Sequence, residues 1–343
     1  MKSNLKNTII CDFPVIQQII NDYWEFRGDH DASQDDLSAS LYWFSLLSTH
    51  AELVINIGES DFDELSKTNP IFKRLKKNSM TGGSKIQLWK DHVDMIEKDK
   101  RFEDFPNALY LLNCSENICS QKIRENGLIF LNGKNYKTFT ETLFLLTDLQ
   151  VNKDSNRSDI SSWNDFKRLT HPMNCMILTD NYIIKDKADI AINLIPLLNA
   201  LLPENLDNSM FQLMIITQEM EPAIFSSRYN EICNQIKNMK RNYEVEFSLI
   251  TTSSSNNHDR RIFTNYCMFE SNNSFTYFDL RNNVKKNTTL HSFPYCMISS
   301  GQELMLNKNL NTLAEVKKLL VKHVKQKLPD STIVNRLLTM VSN

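Results

Sequence analysis

No apolar run in this chain approaches the ~20 residues that a membrane-spanning helix requires, and the opening MKSNLKNTIICDF has too short an apolar stretch for a secretory signal. A cytosolic protein with no membrane partner is expected. No C-x-x-C occurs among Cys11, Cys114, Cys119, Cys175, Cys233, Cys267 and Cys296, which excludes zinc-ribbon and redox-pair spacings and leaves reduced core thiols as the expectation. An excess of one charge is also missing. With 39 Lys and Arg against 41 Asp and Glu the net charge is −2, so any polyanion site must be a local patch. Two candidates exist, the nucleic-acid-binding cluster Lys73, Arg74, Lys76 and Lys77 and the basic segment 317–327, and a solvated helix face accounts for each as well. Gly (7) and Pro (9) are scarce, a compositional bias that points to no chemistry.

The chain does contain 41% hydrophobic and 23% charged residues over 343 positions, the balance of a globular protein with room for two cores. The polar, aperiodic stretch 151–162 separates two differently patterned halves. The expected organisation is an α/β domain over 1–150, a linker over 151–162, a second α/β domain over 163–305 and a helical segment over 306–343. Both halves alternate short apolar runs with amphipathic ones, so the fold class expected is α/β with mainly parallel sheets. In the second half the runs 173–184, 211–217 and 245–251 are strands separated by helices over 191–202 and 228–241.

After the last of those strands stands His258-Asp259-Arg260-Arg261-Ile262-Phe263-Thr264-Asn265. On a strand, His258 and Arg260 share a face, which would aim an imidazole and a guanidinium at one phosphate. The segment resembles the H-x-K-x-x-x-x-D signature of the phospholipase D superfamily, with Arg260 for the Lys and Asn265 for the Asp, and the order strand, helix, strand, helix, strand is that of one half-domain of that family. The family's G-S-x-N is echoed by Ser271-Asn272-Asn273-Ser274. The resemblance covers residues 165–300. It implies a phosphodiesterase with His258, Arg260 and Asn265 as the catalytic set, no cofactor, and a site completed by a second copy, hence a homodimer or a subunit of a hetero-complex. A letter-perfect match at His323-Val324-Lys325-Gln326-Lys327-Leu328-Pro329-Asp330 is set aside, because Leu313, Val316, Leu319, Leu320 and Leu328 recur at helical spacing and positions two apart on a helix do not share a face.

The first half offers a second chemistry. A strand ending at Asp12 and the later run LYLLNCSENICSQKIRENGLIFLN resemble the frame of a PIN-type ribonuclease domain, in which carboxylates at strand ends hold a divalent metal. That resemblance implies a Mg2+ site at Asp12, at Glu52 (or Asp61 or Asp63) and at Asn113, with Glu116 three residues on. The residues read by themselves allow a plainer role, Asp12 capping the helix that begins at Pro14. Thr81-Gly82-Gly83-Ser84-Lys85 lacks the spacing and the preceding strand of a phosphate loop and reads as a turn. Asp29-His30-Asp31 with Asp35-Asp36 reads as an acidic loop before a helix.

Two functions are therefore expected: a phosphodiesterase-type nuclease or nuclease-like nucleic-acid-binding protein, of a kind that resembles those of bacterial antiphage systems, or a catalytically inactive scaffold with eroded nuclease folds.

Overall fold

The computed structural model describes residues 6–28, 34–88, 105–253, 260–299, 303–327 and 335–341. The chain forms two compact units. One comprises 1–124, 128–144 and 295–307, the other 125–127, 145–294 and 308–343. The α/β class expected from the patterning is what the structure has.

The first unit is built on a five-stranded, all-parallel sheet in the order β3-β2-β1-β4-β5. Its strands are β1 (Asn7–Cys11), β2 (Ala51–Ile55), β3 (Lys85–Leu88), β4 (Leu109–Leu111) and β5 (Ile129–Leu131). β4 and β5 are buried at every position, as short continuous apolar runs in a parallel sheet should be, whereas β3 at the edge alternates exposed and half-buried residues. Helix α1 (Phe13–Gly28) buries Val15, Ile16, Ile19, Ile20 and Tyr23, a stripe at helical spacing. Tyr23 stacks on Phe44 of α2 (Gln34–Ser45), with ring centroids 4.2 Å apart. After α3 (Glu59–Thr68), helix α4 (Pro70–Met80) ends in the segment expected to be a turn. There Gly83 N–H donates to the Asn78 carbonyl at 2.6 Å, and Gly82 takes φ +88°, so the two glycines close the helix and turn the chain into β3.

The second unit carries an eight-stranded mixed sheet, in the order β13-β9-β8-β7-β10-β11-β12-β6. Its strands are β6 (Thr147–Val151), β7 (Cys175–Thr179), β8 (Phe211–Gln218), β9 (Val245–Thr252), β10 (Arg261–Thr264), β11 (Cys267–Ser271), β12 (Thr288–Pro294) and β13 (Val324–Lys327). β7, β8 and β9 run parallel, linked through helical segments between 187 and 201 and helix Pro222–Asn238; the remaining pairings are antiparallel. The core gathers Trp163, Phe166, Leu197, Leu198, Phe211, Leu213, Ile215, Phe275 and Tyr277 among others.

Two expectations about the chain's organisation are corrected. Residues 151–162 are not a linker: Val151 belongs to β6, the Asp159 carboxylate accepts from Gln150 N–H at 2.8 Å, and Ile160 is fully buried, so this polar stretch folds back on its own strand. The basic C-terminal helix, expected to run to Leu328, ends at Lys322, and residues 324–327 form a strand against β9. The open edge of β9 outweighs local helical preference there. Gln326 anchors the pairing, accepting from Thr251 Oγ1 at 3.0 Å and donating to the Met220 carbonyl at 2.7 Å. The helical argument against the His323 motif therefore fails, and Asp330 lies outside the described residues.

Gly127 sits at φ +65°, where an added Cβ would stand 2.5 Å from the Met173 carbonyl oxygen. Gly127→Ala is expected to lower stability by about 2 kcal/mol or more, from the left-handed backbone plus the clash. A urea unfolding series that shows an unchanged midpoint contradicts this.

Candidate functional site

In a doubly wound sheet ligands gather outside the carboxyl ends of the strands, where strand order reverses. In the first sheet that point lies between β1 and β4, and polar residues stand at or just beyond the ends of the strands around it. Asp12 follows β1, Asn56 follows β2 and Asn132 follows β5, while Asn113 stands two residues beyond β4. Asp12 is only 6% exposed. Its Oδ1 accepts from Asn56 Nδ2 and its Oδ2 from the Asn113 backbone N–H, both at 2.6 Å. The Asn56 amide oxygen in turn accepts from Phe13 N–H at 2.8 Å. The Asp12 carbonyl, rather than a carboxylate oxygen, takes Val15 N–H at 3.0 Å and Ile16 N–H at 3.3 Å to open α1. Asp12 is thus a bracket across three strand ends, which corrects its reading as a simple helix cap.

A cavity of about 800 Å³ opens beside this bracket, lined by Pro14, Val15, Gln18, Asn113, Cys114, Ser115, Glu116, Asn117, Asn132, Gly133 and Lys134. Its walls are well fixed. Ser115 Oγ accepts from Ile118 N–H at 3.4 Å and so caps helix Glu116–Asn126. Asn132 donates from Nδ2 to the Cys114 carbonyl at 3.0 Å and accepts Lys134 N–H and Asn135 N–H on Oδ1 at 2.9 and 3.0 Å. At Gly133 a Cβ would approach Gln18 Cγ to 3.3 Å, so the loop after β5 lies close against α1.

The metal set implied by the PIN resemblance does not fit. Glu52 pairs with Thr8 and so lies four residues short of Asp12 along parallel strands, about 13 Å away at the usual rise. Its carboxylate accepts from Gln87 Nε2 at 2.6 Å instead. Asp63 is paired with Lys76, whose ammonium hydrogen bond holds the carboxyl below the usual range. Asn113 carries no charge, and among the described residues no group of three His, Cys, Asp or Glu could hold a metal ion. Asn56, Asn132 and Lys134 were missed in the sequence, although VIN and FLN carry the signal of a polar residue directly after an apolar run.

In the second unit the corresponding edge lies beyond β7. Asp180, fully buried, accepts Tyr182 N–H on Oδ1 at 2.8 Å, Ser274 Oγ on both oxygens at 2.9 and 2.8 Å, and Phe275 N–H on Oδ2 at 2.6 Å. Burial raises its pKa, opposed by those donors and by the Arg260 charge. Arg260, half-buried, places its guanidinium 5.9 Å from the centroid of the Tyr182 ring, itself 42% exposed.

The expected catalytic set is not brought together. Asn265 is fully buried in the turn between β10 and β11, where Oδ1 accepts Asn174 N–H and Nδ2 donates to Asn174 Oδ1, both at 3.0 Å. Arg260 stands at the other end of the four-residue β10, about 16 Å away at the strand rise. Asn265 is structural. His258 lies outside the described residues, as do Asp29, His30 and Asp31. Ser274, from the echoed G-S-x-N, does reach this edge through Asp180. The Lys73, Arg74, Lys76, Lys77 cluster is divided as well: Arg74 packs its guanidinium 5.0 Å from the Phe44 ring centroid and Lys76 pairs with Asp63, while Lys73 and Lys77 are exposed. From the C-terminal basic segment, Lys317 donates to the Leu338 and Val341 carbonyls at 3.2 and 2.7 Å.

No protein-family model and no curated protein matches the chain. A solved structure aligned over 90% of this chain and 94% of its own is that of TrmBL2, an archaeal chromatin protein described as showing a novel mode of DNA binding; at 9% identity and a TM-score of 0.28 the likeness carries no argument. No described helix is long and apolar enough to cross a membrane.

Asp180→Ala is expected to cost about 2 kcal/mol or more, since the buried Phe275 N–H and the part-buried Tyr182 N–H lose their acceptor, at roughly 1–3 kcal/mol for a fully buried group. With its folded pKa raised, Asp180 favours folding most below the unfolded carboxyl range, and this contribution is lost as pH rises through the folded value. Stability measured against pH should therefore lose that acid-side component in Asp180→Asn; identical profiles for wild type and variant contradict the assignment.

Proposed function

We propose that this chain is a nuclease-like binding protein that engages nucleic-acid backbone at the carboxyl edge of the second sheet, rather than a self-sufficient phosphodiesterase. The observation that carries the reading is the separation of the motif's parts. Arg260 stands partly exposed over the Tyr182 ring, while Asn265 is spent on the backbone at the opposite end of the strand. An arginine fork attracts phosphate whether or not a general acid is nearby, and an aromatic face beside it offers a base or sugar a surface on which to stack. Chemistry needs more. Loss of the carboxylate that orients a catalytic histidine costs about 10⁴-fold in rate in the best-studied histidine site.

The buried carboxylate explains how such a binding edge is held open. Asp180 ties the chain after β7 to the segment after β11, and its charge favours a guanidinium nearby without forming a fork with it. Among the described residues no carboxylate pairs with Arg260, which leaves its donors for a ligand. The adjacent Arg261 is the contrasting case, bonded through Nε to Glu270 Oε2 at 3.0 Å.

Binding of a fluorescent single-stranded oligonucleotide across a salt series tests this. Affinity should fall with salt, Arg260→Ala should flatten the slope by about one phosphate contact, and Tyr182→Ala should cost about 1–3 kcal/mol if bases stack there. Binding that is absent or insensitive to salt favours a protein-binding scaffold. Rapid cleavage by the isolated protein, persisting in EDTA and lost in His258→Ala, overturns the reading in favour of the phosphodiesterase.

A further inference from the structure

We infer that the cavity in the first unit is a binding site for a ribonucleoside monophosphate, separate from the nucleic-acid edge of the second unit. Its volume of about 800 Å³ falls within the range of small-molecule sites, and it stands at the switch point of the parallel sheet, beside the Asp12 bracket. The lining is chemically mixed in a way that a plain anion site is not. Val15 and Pro14 supply apolar surface for a base or sugar, and Asn113 and Asn117 supply amides, each with a donor and an acceptor to match the edge of a base, while the Gln18 amide nitrogen is held by Asp22 Oδ1 at 2.6 Å. Glu116 supplies the one carboxylate, suited to accept from a ribose diol, and Lys134 supplies the one cation.

Charge decides among the phosphates. One lysine, helped by the backbone at the start of helix Glu116–Asn126, matches the two negative charges of a monophosphate better than the three or four of a di- or triphosphate. Longer phosphates would call for more cationic charge than the one lysine of this lining. The site is also preformed: Asn132, Ser115 and Asn113 are each fixed by the hydrogen bonds described above, so binding has little loop ordering to oppose it.

Cys114 makes the proposal measurable without any assumed activity. It lines the cavity and is half-buried, as is Cys233 in the second unit, whereas the other five cysteines are buried. Its sulfur lies 3.4 Å from Cys119 Sγ, and burial pushes the Cys119 thiol up to about 12, which leaves Cys114 as the thiol of that pair open to alkylation.

The experiment follows N-ethylmaleimide modification of the full chain by mass spectrometry, with Cys233 as internal reference and Cys114→Ser as assignment control. It is run with each common ribonucleoside 5′-monophosphate, its 2′-deoxy form, the free nucleoside and inorganic phosphate, and titration calorimetry supplies affinities. At least one ribonucleotide should slow modification at Cys114 while Cys233 is unaffected. Lys134→Ala, a change at an exposed side chain, should weaken that nucleotide roughly tenfold or more, as for the loss of a charge-assisted hydrogen bond. Glu116→Gln should abolish the preference for ribose over deoxyribose. Protection by inorganic phosphate equal to that by the nucleotide reduces the cavity to an anion site and overturns the assignment. So does the absence of protection by every nucleotide at millimolar concentration, or binding that is unchanged in Lys134→Ala. Oligonucleotide binding at Arg260 is unaffected by any of these outcomes.

Discussion

The first unit depends on how a parallel sheet can end. Parallel strands buried on both faces must leave the sheet at one edge together, and their last backbone groups then need partners inside the protein. Asp12 meets that need with a single side chain, joining the exits of β1, β2 and β4 through Asn56 and the Asn113 N–H. Hydrogen bonds to a charged acceptor are worth roughly twice a neutral one, so this carboxylate fixes the geometry of three loops at once. The cavity is what remains between those loops once they are held.

Asp180 repeats the arrangement in the second unit. It too follows a parallel strand, and it too spends its oxygens on backbone N–H groups and a small polar side chain. In both units a buried acid at a strand end is used to build the edge. The groups left for a proposed ligand are neighbours of these acids: Asn113, Glu116, Asn117 and Lys134 in one case, Arg260 and Tyr182 in the other.

Much of the fold was legible because parallel strands are continuous apolar runs; the runs expected at 211–217 and 245–251 are β8 and β9 almost to the residue. The site was legible only in part. Asp12 and Arg260 could be singled out by type and position, but whether Glu52 stands beside Asp12 is set by the pairing of Thr8 with Glu52, which the local sequence does not encode. The same holds for Asn265: the extended β10 sets it at the far end from Arg260, and there the chain turns into β11 with the Asn265 amide bonded to Asn174, a partner distant in sequence. At residues 324–327 a helical period was present, and the pairing partner that overrides it lies more than seventy residues away.

That last pairing has a consequence for how the protein behaves when shortened. β13 shields the edge of β9, whose final five residues are buried, and it turns Lys325 and Lys327 outward. The outer rim of the sheet is therefore a row of ammonium groups, unwelcoming to a foreign strand. A chain cut after Lys322 would keep its helix but lose that rim, exposing unpaired N–H and C=O groups of an apolar strand to any neighbour able to dock there. Four residues, with no part in either proposed site, thus cover a sheet edge that would otherwise be open to a foreign strand.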